Sequence, residues 1–326
     1  MDEFSKLSGV IQLGQWSFNV IDISDKELYS DYIRKTRYPA NLWSANFDFL
    51  WAVSQSRIRK VLWKIVDNML VTFGYLLSGP LYLICLPYGE GDVEKVVKAA
   101  VDCLRYCADW NKDKDPGTVI KVVNEQQLEF LKQHPGFQDF FRVTGLVGKE
   151  KFFSIPKLLS LHGKDFDTIR RKINKFRKTC PGAAVREYRE EDFKKVMKLG
   201  EYWSETSGKK YSNVFDNIYF REIIRHCREL NHIVLVVEYD GKIIGMVSGG
   251  DLPNGQSWWC LSKFMNDYDG LSEFLVIEIA RAINRRNHRI ELMNAAEDLG
   301  PGGLRFFKER FRPALDLKRY VLKFKE

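Results

Sequence analysis

The sequence predicts a mixed α/β protein made of two copies of one unit, and three observations carry that reading. Helical and strand-like segments alternate along the chain, the same order of elements occurs twice, and 45% of the 326 residues are hydrophobic and 13% aromatic, enough for two cores. In the first half, helical periodicity covers about 25–36 and 43–55. Strands follow near 60–66, 69–76 and 80–87, then a long helix over 92–110, a strand over 118–123 and a short helix over 125–133. In the second half, a strand at 185–188 precedes helices near 190–206 and 217–230. Strands at 233–239, 242–251 and 257–263, a helix at 271–286, a strand at 290–293, a helix at 302–310 and a final strand at 315–324 complete it. Both halves read as two helices, three antiparallel strands, a long helix, a strand and a helix, which divides the chain into domains at 1–150 and 151–326.

Residues 69–88 carry no charge and are long enough to span a bilayer, but their composition argues for strands. Val71, Thr72, Phe73 and Tyr75, then Leu81, Tyr82 and Ile84, are strand formers, and Ser78-Gly79-Pro80 punctuates them as a turn. Two buried strands joined by a hairpin are expected, with no transmembrane segment. Asp240-Gly241 is a two-residue hairpin turn of the favoured kind.

The formal net charge of +8 favours an acidic partner such as RNA, a phosphate cofactor or an anionic membrane. The six cysteines lack paired metal spacing: Cys103 and Cys107 lie one helical turn apart with no second pair, so buried thiols and no metal site are expected. His162, His226, His232 and His288 share no ligand spacing either. Without disulfides a reducing cytoplasm fits. The N-terminus lacks a basic region followed by an apolar one, so no signal peptide is expected.

Two segments carry chemistry. In the first, Asn294, Glu297, Asp298, Gly300, Gly302 and Gly303 follow a strand as one polar loop, and a short helix then presents Arg305 and Lys308 on one face. Opposite charges beside a strand end make a candidate reaction centre; the alternative is a glycine-rich turn with a solvated ion pair. In the second, residues 161–178 read as one helix with a basic stretch over 164–178. Phe166, Ile169, Ile173 and Phe176 form its apolar face, and Arg171, Lys175 and Lys178 align on another, beside Arg170 and Asn174. Six cations in the nine residues 170–178 fit a phosphate-backbone contact surface, or else a solvated helix face.

The repeated order of elements is that of the N-acetyltransferase (GNAT) fold, in which the cofactor's pyrophosphate sits on the N-terminus of the long helix. Here the corresponding loops are Gly89-Glu90-Gly91-Asp92 and Asn266-Asp267-Tyr268-Asp269-Gly270, both acidic, so a plain acetyl-CoA enzyme is not favoured. Three motifs resemble those of the C-terminal domain of the phosphatidylglycerol lysyltransferases. They are Leu161-x-Gly163-Lys164 with Arg170-x-x-Ile173-Asn174-Lys175-Phe176, then Lys263 to Gly270, and the closing run from Asn294 through Glu297-Asp298-x-Gly300, Gly303-Leu304-Arg305 and Lys308 to Pro313. Arg171 stands where that family usually has Asn, and Ser262 where it usually has Glu. The motifs lie within 153–326; over 1–150 the resemblance is architectural.

The resemblance implies tandem GNAT-like domains, the first structural and the second carrying the site. It also implies an aminoacyltransferase that moves an amino acid from aminoacyl-tRNA to an amine or hydroxyl, with aminoacyl-tRNA as co-substrate and no other cofactor. The lysyltransferases carry an N-terminal membrane domain that is not seen here, so a soluble small-molecule acceptor is expected over a lipid head group, and no DNA partner. On this reading Lys308 and Arg305 stabilise charge, Asp298 or Glu297 is the base or the clamp for an ammonium, and Asn294, Lys263, Tyr268 and Trp258 line the pocket. Of Trp258 and Trp259, one is expected to face the core and the other a cleft. Arg170, Arg171, Lys175 and Lys178 would contact tRNA. The alternatives are an acyl-CoA-dependent N-acyltransferase (an acetyltransferase) and a non-catalytic RNA-binding protein.

Overall fold

The computed structural model describes residues 4, 7–112, 118–210, 216–300 and 302–325. The chain forms two compact units, one of Met1–Gly148 with Leu317–Glu326 and one of Lys149–Asp316.

In the first unit the sheet order is β1 (Val10–Leu13), β2 (Trp16–Val20), β3 (Arg59–Val66), β4 (Met69–Leu76), β5 (Leu81–Leu83), β6 (Val119–Asn124) and the C-terminal strand β13 (Leu315–Phe324). Helices α1 (Lys26–Lys35), α2 (Phe47–Ser54), α3 (Val93–Asn111), α4 (Glu125–Leu131) and the short α5 (Phe137–Phe140) complete it. The β1–β2 hairpin is an addition to the expected order, turning at Gly14, whose φ is +56°. Residues 69–88 form strands as expected, although the second is only Leu81–Leu83, paired antiparallel to β4 and parallel to β6. Asp92 caps α3 by accepting from the Lys95 N–H, so the chain's own carboxylate occupies that helix N-terminus.

The C-terminal strand corrects the division at residue 150. Leu317–Glu326 belongs to the first unit, where β13 pairs antiparallel with β6 in the register Tyr320↔Val123 and Leu322↔Ile120. Pairing follows an available strand edge and an apolar register rather than nearness in sequence.

The second unit begins within β7 (Phe141–Ser154), a long strand that the periodicity does not reveal. After it come α6 (Ile155–Ser160), α7 (Asp167–Thr179), β8 (Ala184–Glu187), α8 (Phe193–Glu205), α9 (Asn217–Arg225), β9 (Ile233–Tyr239), β10 (Lys242–Asp251), β11 (Ser257–Phe264), α10 (Leu271–Arg286), β12 (Leu292–Glu297) and α11 (Gly303–Glu309). The sheet order is β7-β12-β11-β10-β9-β8. The β9–β10 turn has the expected geometry, with φ of 48° at Asp240 and 69° at Gly241. The expected single helix over 161–178 is broken: Leu161 and Gly163 have positive φ, a 3-10 turn covers Lys164–Phe166, and α7 starts at Asp167.

Helix α10 and the apolar face of α7 close one core. Ile169, Ile173 and Phe176 of α7 and Leu271, Leu275 and Ile279 of α10 lie in it with Leu235, Val237 and Val247 of the sheet. β11 and β12 run parallel and pair only at Ser257↔Met293 and Trp258↔Asn294 before they diverge. Beyond those two pairs the strands share no ladder register among the described residues.

Gly270 begins α10 at φ +89°, and a Cβ there would lie 2.1 Å from the Lys172 carbonyl oxygen of α7. Gly270→Ala is therefore expected to lower the unfolding free energy by about 1–3 kcal/mol from backbone strain alone, with the steric clash adding to it. Gly163→Ala, at φ +87° with nothing within 4 Å of the added carbon, is the control that isolates the clash. Equal midpoints for the two variants in chemical denaturation would remove the packing argument.

Candidate functional site

The closing motif is not the loop that its glycines and charges imply. Asn294 to Glu297 are the end of β12, paired antiparallel with β7 at Asn294↔Phe152 and Glu297↔Glu150 across an irregularity. Ala296 sits there at φ +59°, and the buried Asn294 side chain accepts a 2.9 Å hydrogen bond from its N–H. Asn294 thus braces a bulge, a device that re-aims backbone groups near sites.

The re-aimed groups meet Lys308. From α11 its side chain runs inward, 4% exposed, and its ammonium donates to the Ala295 carbonyl at 2.6 Å and to the Glu297 carbonyl. The ring of Trp259 on β11 lies 6.0 Å from the nitrogen. Lys308 therefore fills the gap opened where β11 and β12 part. Burial pushes its pKa down to about 7; Asp298 and Glu150 pull upward and Lys151 pushes further down. An amine so placed exists in both protonation states near neutrality, as proton transfer or charge stabilisation requires.

Asp298 is the anchor of the turn that follows. Its Oδ1 accepts from the Lys149 and Gly300 N–H groups at 2.9 and 3.0 Å, and its Oδ2 lies 3.1 Å from the Lys151 ammonium. Burial opposes its charge, but the two N–H groups and Lys151 outweigh that and hold the carboxyl below its usual value. With its oxygens so engaged, Asp298 positions the Leu299-Gly300 turn, both residues at positive φ, rather than waiting as a free base. Lys151, on β7, is 1% exposed and also meets Asp316 at 2.8 Å and Glu309 at 3.9 Å. Nothing in its sequence context marks it: a Lys-Glu-Lys run reads as surface, and its partners lie far along the chain.

The other expected site residues divide. Glu297 contributes its carbonyl to Lys308 and is half-buried opposite Glu150. Arg305 does not share the inward path of Lys308; 41% exposed, it pairs with Glu309 at 2.7 Å one turn on. Trp258 is buried with its ring against His232, and Trp259 is the tryptophan beside Lys308. Tyr268 packs edge-on against Tyr239 and the α7–α10 core. Lys263 is fully buried on β11, paired with Asp216 and 3.4 Å from the ring centre of Trp203.

Along α7, Arg171, Lys175 and Lys178 are exposed together as the spacing requires. Arg170 instead braces the preceding turn, donating to the Leu161 and Gly163 carbonyls. Lys172 and Lys175 grip Asp269 at 2.7 and 2.9 Å, which holds its pKa at about 2. Asp269, Gly270 and the Lys172 carbonyl thus crowd the N-terminus of α10, where a GNAT cofactor's phosphates would lie. Among the described residues no helix is long and apolar enough to cross a membrane.

Comparison with known proteins agrees with this architecture. Residues 57–323 match the family described as phosphatidylglycerol lysyltransferase, C-terminal. No curated protein matches the chain significantly in sequence. Among solved structures, a conserved protein of unknown function from Bacteroides thetaiotaomicron VPI-5482 superposes with a TM-score of 0.80 at 20% identity, covering 94% of this chain and 99% of that one. The structure of L-PGS from Bacillus licheniformis gives 0.65 at 14% identity over 93% of this chain and 92% of that one. A tandem GNAT protein from the clavulanic acid biosynthesis pathway gives 0.51 at 9% identity over 94% and 98%. The fold is GNAT-like, and because the family match spans most of its length, the chain belongs to the phosphatidylglycerol lysyltransferase C-terminal family.

Proposed function

We propose that this protein is an aminoacyltransferase that takes an amino acid from aminoacyl-tRNA and passes it to an amine or hydroxyl acceptor. Family membership supports an aminoacyltransferase-like activity, and the observation that carries the reading is Lys308, a buried cation set in the gap between β11 and β12. In the reaction the acceptor attacks the ester carbonyl, a bond forms from its nitrogen or oxygen to that carbon, and the bond to the ribose oxygen breaks. The acceptor's proton ends on the ribose oxygen. A cation held in a dry pocket stabilises the oxyanion and the leaving oxygen far better than one in water. Trp259 covers one side of that cation, while Asn294 and Asp298 fix the strand and turn that aim it. The acyl-CoA alternative loses support because Asp92 caps α3 and α7 crowds the start of α10.

The full chain, mixed with a panel of charged tRNAs, soluble amines and phosphatidylglycerol vesicles, is expected to consume one class of charged tRNA. Ribonuclease should abolish turnover and acetyl-CoA should not support it. Turnover that survives ribonuclease and follows acetyl-CoA would overturn the proposal.

Arg171, Lys175 and Lys178 are assigned to the tRNA backbone. Their triple replacement by Glu should weaken binding to different tRNAs about equally. It should also flatten the log–log salt dependence by roughly 0.7–0.9 for each phosphate that the helix no longer neutralises. An unchanged slope at two salt concentrations would return α7 to the status of a solvated surface.

A further inference from the structure

The second unit holds another buried polar cluster, on the sheet face opposite α10. The β10 residues Gly245, Val247 and Gly249 face α10, so α8, which also packs on β10 and β11, covers the other side. There Lys263 of β11 lies between Asp216, which precedes α9, the ring of Trp203 on α8 at 3.4 Å and the ring of Phe220 on α9 at 5.7 Å. Lys263, Asp216 and Trp203 are each at least nine-tenths buried. Yet Asp216 Oδ1 and the Trp203 indole N–H have no hydrogen-bond partner among the described residues, and neither has the buried Ser248 hydroxyl on the same face of β10. Burial pushes the Lys263 pKa down, against the pull of Asp216.

Unsatisfied buried polar groups cost about 1–3 kcal/mol each, and two of them beside one buried ion pair form a site that a polar ligand would complete. Asp216 offers an open carboxylate oxygen, while the Trp203 and Phe220 rings are already covered by the Lys263 ammonium. The indole N–H and the Lys263 ammonium offer donors. The complementary ligand has an ammonium beside an acceptor atom, as an α-amino acid ester does. We propose that Asp216, Trp203 and Lys263 form the recognition pocket for the aminoacyl group, with Asp216 Oδ1 taking its α-ammonium and the Trp203 N–H donating to an acceptor atom beside it, while the ester carbonyl is left to Lys308. The assignment rests on the aminoacyltransferase reading. It adds two residues, Asp216 and Trp203, that lie outside the family motifs found in the sequence.

Amino acid amides stand in for the ester, and their N-acetyl derivatives remove the ammonium while keeping the rest. Calorimetric titration of the full chain with the amides of L-lysine, L-alanine and L-phenylalanine is expected to show binding of at least one. Its N-acetyl form should bind about 10- to 100-fold more weakly, and Asp216→Asn should cost about as much, the range for a charged hydrogen bond. Trp203→Phe keeps an aromatic face and loses the N–H, for an expected loss of about 2- to 10-fold. Unfolding midpoints show whether each variant folds; if Asp216→Asn does not, the N-acetyl comparison on the wild type and Trp203→Phe still decide. Failure of every amide to bind, equal affinity for the N-acetyl forms, or wild-type affinity in Asp216→Asn would each overturn the pocket. Consumption of charged tRNA with an unaltered KM in Asp216→Asn removes the pocket and leaves the transferase reading standing. Asp216-dependent amide binding with no charged tRNA consumed does the reverse.

Discussion

Lys308→Ala is expected to lower kcat/KM by about 10²–10³, the usual cost of deleting one donor to a developing oxyanion in a preorganised site. On the proposed reading the loss falls on the chemical step, because the side chain is buried against the β12 carbonyls and would reach a substrate where β11 and β12 part. If the ammonium is the working form, the wild-type rate falls as pH rises through about 7, and the residual activity of the variant lacks that limb. Stability moves the other way. The folded pKa of about 7 lies below the ordinary lysine value of about 10.4, so between those limits the unfolded chain binds more protons and the fold gains stability as pH rises. The gain is on the order of a few kcal/mol, and Lys308→Met, which keeps the apolar stem, should lack it. Near-normal turnover in Lys308→Ala, or parallel stability–pH curves for wild type and Lys308→Met, would take Lys308 out of the site.

The second large effect is on stability. Asp298→Ala leaves Lys151 buried with a weakened set of counter-charges and strips the Lys149 and Gly300 N–H groups of their acceptor. Removing one member of a buried pair typically costs about 3–5 kcal/mol. Asp298→Asn retains a neutral acceptor and should cost less. The carboxyl is held below its unfolded value, so its contribution is present above about pH 4 and is lost as pH falls through the lower folded pKa. Chemical denaturation at pH 7 and below pH 4 measures both effects; an Asp298→Ala midpoint within error of wild type would show that the turn stands without its anchor.

Much of this is legible in the residues, and what is hidden has physical causes. Leu271–Arg286 and Leu315–Phe324 can be placed to the residue because a helical stripe and an apolar alternation are local signals. The glycine-rich run after Asn294 stands out as a site, but its first four residues read as loop and are strand. Asn, Ala and Glu are poor strand formers, and their strand conformation is imposed by pairing with β7. β7 itself escapes the periodicity because Gly145, Gly148 and the charges of Lys149, Glu150 and Lys151 disguise it. The burial of Lys151 depends on Asp298 and Asp316, more than a hundred residues away, and no local pattern encodes such a partner. Lys308 and Arg305 share spacing but not environment, a distinction that only the packing of α11 draws.

The antiparallel pairing of β13 with β6 has a consequence for how the polypeptide is made. β6 ends at Asn124, yet the strand that completes its edge is synthesised only after the whole of the second unit's helices and strands. Throughout translation of that unit, the nascent first unit carries an open edge with Ile120 and Val123 in it, a template for adhesion to other chains. Its last cooperative step therefore waits until Leu315–Phe324 has left the ribosome. A stop codon before Leu315 would harm the half of the protein that was synthesised first.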